Sequence, residues 1–216
     1  MATEIKEKKH GSAAPSENKK KSGDRGYLFI KRLFDVTVAF VTGIILLVPM
    51  IVIALLVKID SKGPAFFRQE RLGLNGKPFT IYKFRSMRMD AEANGPQWAD
   101  KDDQRCTKLG KLLRKTRLDE LPQVLNILRG DMSLVGPRPE RAYFYDKFEE
   151  YIPGFRQRLQ VLPGLTGYAQ VNGGYDLSPE EKLAYDMEYI EKRCVRMDIA
   201  CMVKTVRLIF THEGAR

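Results

Sequence analysis

Two adjacent carboxylates, Asp119 and Glu120, stand in the stretch Thr116-Arg117-Leu118-Asp119-Glu120-Leu121-Pro122-Gln123, with Lys111, Arg114, Lys115 and Arg117 around or just before them. Pro122 has no N–H to donate and breaks a helix from inside, so a helix is predicted to begin about here and run over Leu121 to Leu128. Asp119 then falls near the N-cap or in the first turn. Unpaired N–H groups and a partial positive charge there favour an anion and keep a nearby aspartate ionised. A carboxylate pair ringed by cations suits a polyanionic substrate handled with a divalent metal. Taken alone, the octapeptide is more simply read as an N-cap followed by a first-turn charge.

Other stretches carry candidate anion ligands. In Phe79 to Met87, after the hairpin signal Asn75-Gly76, the two-residue period puts Lys83 and Arg85 on one face, opposite Tyr82 and Phe84. Such a face is usually solvated, but beside an acidic metal site it would bind phosphate. In Ser133 to Pro139, Pro137 and Pro139 fix φ on both sides of Arg138, making it a rigid clamp for a base, ribose or phosphate, or a turn whose arginine points to solvent. Pro163-Gly164-Leu165-Thr166-Gly167 is a second glycine-rich turn, open to close approach of a ligand or merely tight.

The elements that must position these groups follow from composition and periodicity. The 216 residues fit one domain with appendages, and a net charge of +10 calls for an anionic partner. Cys106, Cys194 and Cys201 lack metal-ligand spacing, which points to a reducing compartment, with Cys194 and Cys201 packing two turns apart. His10 and His212 lie near the ends, which argues against histidine catalysis. Residues 1–26 read as a disordered basic tail able to brush anionic lipid.

From Val36 to Val57 the chain runs 22 residues without a charge, long enough to span a bilayer. Lys31 and Arg32 precede the run and Lys58, Lys62, Arg68 and Arg71 follow it, so both flanks are basic. A helix that enters the membrane, bends at Pro49 and returns to the same side satisfies both the flanks and the proline. Trp98 sits in a loop as an interfacial anchor or a packing residue. Ser178-Pro179-Glu180-Glu181 carries the signs of a capped helix running to about Arg193. In the last segment Ile199, Met202, Val203, Val206, Ile209 and Phe210 share one helical face opposite Lys204 and Arg207, fitting a membrane-surface helix or, more commonly, a docked one. The expected fold is α+β: a mostly helical, membrane-associated domain with a re-entrant membrane helix, a small β-hairpin and amphipathic surface helices. The expected divisions are 1–26, 27–60 and 61–212.

The apolar run ending in Lys58-Ile59-Asp60-Ser61-Lys62-Gly63-Pro64, then Phe67 to Arg71, Tyr82 to Met87, Leu118 to Gln123, Ser133 to Pro139 and Pro163 to Gln170, in this order, resemble the bacterial sugar transferases, the monotopic phosphoglycosyltransferases. The resemblance covers about Tyr27 to Thr211. It implies transfer of a sugar-1-phosphate from a UDP-sugar to a polyprenol (undecaprenyl) phosphate at the cytoplasmic face of the bacterial inner membrane, releasing UMP and initiating a membrane glycan. It implies Asp119 as nucleophile holding a covalent phosphosugar, and Glu120 as its partner, with Mg²⁺ at Asp119 and Glu120. Lys83 or Arg85, with Arg114, would bind phosphate, and Pro137, Arg138 and Pro139 the nucleotide. Membrane lipid is a further partner, a second copy of the chain an admissible one, and nucleic acid is not expected. The chain reads as the minimal catalytic form. It departs from the family pattern at Val48-Pro49, where many members have Ser-Pro, and at Leu162 and Tyr168, where Lys and Trp are common. A non-catalytic scaffold on anionic lipid is the rival reading, and it has no use for the acidic pair.

Overall fold

The computed structural model describes residues 23–93, 95, 97, 103–174 and 177–211. Their order is α1 (Gly23–Ile45), α2 (Leu47–Asp60), β1 (Phe66–Leu72), β2 (Pro78–Phe84), α3 (Lys108–Lys115), a 3₁₀ helix (Leu118–Gln123), α4 (Val124–Arg129), β3 (Ser133–Val135), α5 (Ala142–Glu149), a second 3₁₀ helix (Phe155–Gln160), β4 (Gly164–Thr166), α6 (Tyr168–Asn172), α7 (Pro179–Lys192) and α8 (Val195–Thr211). This is the mostly helical α+β chain expected. The helix that follows the tail already starts at Gly23, four residues inside the stretch assigned to the tail. Trp98, both histidines and the side chain of Phe210 lie outside the described residues.

The apolar run bends, but not at its proline. α1 and α2 meet at Leu46 with a bend of 63°. Pro49 lies in the first turn of α2, where a missing N–H removes no intrahelical bond, and its ring disfavours helical continuity with the turn before it. Among the described residues no single helix is long and apolar enough to cross a membrane, although α1 and α2 together have that length and composition. Leu47, Val48, Ile51, Val52, Leu55 and Ile59 of α2 are exposed.

Lys31 and Arg32 have a use the flank argument did not anticipate. Lys31 Nζ lies 3.0 Å from Asp198 of α8. The Arg32 guanidinium donates to the carbonyls of Ile127 (2.6 Å) and Leu128 (3.0 Å), capping the end of α4. One turn on, Asp35 accepts from Leu134 N–H at 3.1 Å. The polar stripe of α1 therefore docks it on the domain.

β1 and β2 form the expected antiparallel hairpin, and its turn holds Asn75 and Gly76 at φ 55° and 76°, the left-handed pair that Asn-Gly favours. Asn126 of α4, fully buried, pairs with the β2 backbone like a neighbouring strand. It accepts from Tyr82 N–H at 3.1 Å and donates to Thr80 C=O at 2.7 Å. Ile81, Ile127 and Met132 pack beneath this junction. β3 and β4 form a short parallel pair, unforeseen from the sequence. A Cβ on Gly136 would overlap the Leu162 carbonyl, and one on Gly164 or Gly167 would overlap the Gly136 backbone. These glycines thus let two loops approach each other, not a ligand.

Ser178 caps α7 through the full capping box. In α8, Asp198 and Cys201 face inward while Ile199, Val203, Val206 and Ile209 are exposed. The two C-terminal cysteines do not pack together, because Cys194 lies just before α8 and is exposed.

Candidate active site

The acidic pair is presented by a 3₁₀ helix, not by the start of an α-helix. Thr107 caps α3 by accepting from Gly110 N–H, and α3 ends at Lys115. Arg117, at φ 58°, then turns the chain through a left-handed conformation into the 3₁₀ helix Leu118–Gln123, which runs directly into α4. Asp119 and Glu120 occupy its first turn, ahead of α4 and not at the start of an α-helix over Leu121 to Leu128. A non-glycine residue in the left-handed region stores a modest strain, which here aims the pair inward.

Both carboxylates are buried, at 8% and 9% exposure, and they differ in their partners. Glu120 Oε1 receives Lys83 Nζ at 2.7 Å and Arg138 Nη2 at 2.5 Å. Burial opposes its ionisation, but Arg138 and Lys83 prevail and hold it well below the usual carboxylate range. Asp119 receives no side-chain or backbone hydrogen bond among the described residues. Burial, and next the charge on Glu120, push it up to about 6 against the pull of Lys83, Arg114 and Arg138. Desolvation thus raises Asp119 above the ordinary carboxylate range, yet at about 6 it is still ionised at neutral pH. One carboxylate is fixed and charged. The other is unhindered and poised near neutrality.

The pair lines a cavity of about 400 Å³ whose wall includes Arg71, Lys83, Arg85, Arg114, Arg117, Arg138, Arg141 and Arg158. This concentration of guanidinium groups suits a polyphosphate. Of the sequence candidates, Lys83, Arg114, Asp119, Glu120 and Arg138 meet here. Arg85 also reaches the wall, but it lies past the end of β2 and its guanidinium is engaged elsewhere. It donates to the carbonyls of Ser61 (2.7 Å), Val57 (3.2 Å) and Lys62, closing the C-terminal end of α2. Its geometry is that of a helix anchor, not of a phosphate ligand.

Pro137 and Pro139 do not line the cavity; they set the backbone. Pro137 C=O accepts from Gly164 N–H (2.9 Å), Arg138 C=O from Arg158 (3.1 Å) and Pro139 C=O from Arg71 (3.3 Å). Glu140 accepts from Arg71 at 3.1 Å and also faces the cavity. Sequence reading missed Glu140, although it directly follows the Pro-Arg-Pro motif, and it missed the buried pair Arg158–Asp186 (2.7 Å). Those two residues are 28 positions apart with no local pattern to join them.

Fold and site together describe a cleft for a phosphorylated anion beside an acidic pair, mounted on a bent apolar helix. The chain belongs to the bacterial sugar transferase family, whose model matches residues 26–212. It is 43% identical over 193 residues to the UDP-N-acetylgalactosamine-undecaprenyl-phosphate N-acetylgalactosaminephosphotransferase of Aeromonas hydrophila, covering 88% of this chain and 46% of that protein. It is 52% identical over 134 residues to a putative undecaprenyl-phosphate N-acetylgalactosaminyl 1-phosphate transferase of Bacillus subtilis, covering 62% and 74%. It is 42% identical over 198 residues to the UDP-glucose:undecaprenyl-phosphate glucose-1-phosphate transferase of Xanthomonas campestris, covering 89% and 41%. The chain thus spans less than half the length of the first and third of these relatives.

Proposed function

We propose that this protein transfers a sugar-1-phosphate from a UDP-sugar to a polyprenol phosphate such as undecaprenyl phosphate, releasing UMP. The observation that carries the reading is the division of labour in the acidic pair: Glu120 is held through Oε1 by Lys83 and Arg138, while Asp119 faces an arginine-walled cavity and accepts no hydrogen bond among the described residues. An Asp119 oxygen attacks the β-phosphorus, the bond from that phosphorus to the bridging oxygen breaks, and UMP leaves with the electron pair. A phosphate oxygen of the polyprenol phosphate then attacks the same phosphorus and displaces Asp119, giving a polyprenyl diphosphate sugar. A carboxylate nucleophile splits one difficult displacement into two easier ones. Arg138 and Lys83 keep Glu120 charged beside the reacting group, and Arg114 and Arg138 bring positive charge to the pyrophosphate.

Mg²⁺ fits this donor set. Among the described residues no cluster of three or more His, Cys, Asp or Glu forms a ready cage. Two neighbouring carboxylates facing a phosphate cavity suit an ion that takes its remaining ligands from substrate and water. Asp119 and Glu120 would hold it, and it would neutralise charge on the diphosphate.

The remaining features agree with a membrane-bound acceptor. The exposed apolar faces of α1, α2 and α8 suit lipid contact, with α1 and α2 entering and leaving the inner membrane from the cytoplasmic side, where UDP-sugars are made. The relatives are named for N-acetylgalactosamine and for glucose, so the sugar is to be found by assay. The test is a panel of UDP-sugars with short polyprenol phosphates and Mg²⁺, scored by UMP release. Without acceptor, the peptide containing Asp119 should gain the mass of a phosphosugar, and Asp119→Asn should give neither adduct nor UMP. Ternary-complex kinetics with no adduct would instead favour direct transfer, and turnover by Asp119→Asn would remove the assignment.

A further inference from the structure

Arg158 and Asp186 are the most deeply buried charge pair among the described residues, each side chain 2% exposed, and neither touches the acidic dyad. Replacing such a pair with apolar groups is often neutral for stability, so its presence asks for a geometric reason. Arg158 supplies one. Its Nε donates to Asp186 Oδ2 at 2.7 Å, while its Nη2 donates to the backbone carbonyl of Arg138 at 3.1 Å. Its guanidinium carbon lies 4.8 Å from the Phe155 ring centroid and 5.8 Å from that of Tyr145, both rings buried. Asp186 comes from α7, Arg158 from the 3₁₀ helix Phe155–Gln160, and Arg138 from the loop after β3, so one planar group fastens three separate segments.

We propose that Arg158, oriented by Asp186, is a positioning residue for Arg138: it fixes the backbone of the Pro-Arg-Pro loop so that the Arg138 side chain meets Glu120 and the donor phosphates. The proposal rests on the reading of the site given above. The two prolines set φ on either side of Arg138 but leave the height of the loop over the cavity undetermined. Gly164 and Arg71 hold the flanking carbonyls, and Arg158 holds the central one, nearest the side chain that does the work. Lysine cannot replace it, because a single nitrogen lacks the planar fork that reaches both acceptors while stacking on Phe155.

The test is a double-mutant cycle in the full chain. Arg158→Lys and Asp186→Asn should each lower kcat/KM for the UDP-sugar about tenfold, mainly through KM, at a temperature where each variant is folded, since removing one partner of a buried pair also lowers the thermal midpoint. Arg158→Lys added to Arg138→Lys should cost no more than Arg138→Lys alone, since the post matters only through the clamp. Multiplying effects, or wild-type kinetics in Arg158→Lys, would overturn the proposal. If Arg158→Lys does not fold, the cycle is run with Asp186→Asn. Collapse of both would show a pair that holds the fold and not the loop, which also overturns it. Should the wild type release UMP from no UDP-sugar, the reading of the site fails instead. The coupling between Arg158 and Arg138 is then read from calorimetric affinity for inorganic pyrophosphate, where additivity again counts against the proposal.

Discussion

At the scale of single residues, the unequal pair Asp119 and Glu120 makes claims on both pH and stability. Burial raises Asp119 to about 6, so the folded chain binds its proton more tightly than the unfolded chain does. Stability from this group is therefore complete in acid and declines as pH rises through about 6, while nucleophilicity runs the other way. Without divalent ion, the Asp119 carboxyl should titrate near 6 by carboxylate NMR, and a midpoint near the ordinary aspartate value of about 4 would mean that burial does not govern it. At pH 7.5, Asp119→Asn should lose UMP release yet melt higher. A shift of about two units corresponds to at most about 3 kcal/mol, and each kcal/mol moves the midpoint about 2–4 °C in a chain of this size. A lower midpoint in Asp119→Asn would mean that the charge is not strained. The acidic pair was legible because it is contiguous and followed by a proline. Its inequality was not, because the partners come from Lys83 and Arg138, 37 and 18 positions from Glu120.

At the scale of elements, local signals fared well where the chain's own backbone sets the geometry and less well where a side chain crosses between elements. The Asn75-Gly76 turn and the Ser178 capping box are local, and both formed as read. The β3–β4 pair joins three-residue segments, too short for any periodicity, and depends on glycines at positions 136, 164 and 167 meeting across the chain. Arg85 shows the limit of the strand period: it gives the face of Lys83 correctly, but the ladder ends at Phe84 and the next side chain reaches back to α2. Arg85→Gln should accordingly loosen α2 from the domain. The expected result is a thermal midpoint several degrees lower and earlier proteolysis near Gly63, with donor KM changed less than twofold at a temperature where the variant is folded. A large rise in KM without loss of stability would instead return Arg85 to the phosphate site.

At the scale of the whole molecule, the membrane-bound acceptor proposed above requires that the bent apolar pair enter and leave a bilayer on one side. From Val36 to Ile45 and from Leu47 to Val57 the two apolar arms are each about 15–16 Å long at 1.5 Å per residue, against a hydrocarbon thickness of about 30 Å. Bent by 63° at Leu46, neither arm reaches the far side alone. With Lys31 and Arg32 engaged by Asp198 and by the end of α4, the start of α1 is tied to the domain that carries Asp119. That docking supports one face more strongly than the charge count on the flanks did, because a spanning arrangement would have to carry α1 away from α4, β3 and α8. The exposed stripe of Ile199, Val203 and Val206 on α8 suits the same surface. After replacement of Cys106, Cys194 and Cys201, single cysteines at Ser22 and Ser178 should both stay protected from an impermeant thiol reagent in intact cells and react once the cells are permeabilised. Labelling of Ser22→Cys from outside while Ser178→Cys stays protected would mean that the run spans the bilayer. Arg32→Ala and Asp35→Ala, which undock α1 without altering the apolar run, should leave this pattern unchanged but lower UMP release, since they free α4 and β3, the elements that follow Glu120 and precede Arg138. If those variants keep full activity, the docking of α1 serves attachment alone.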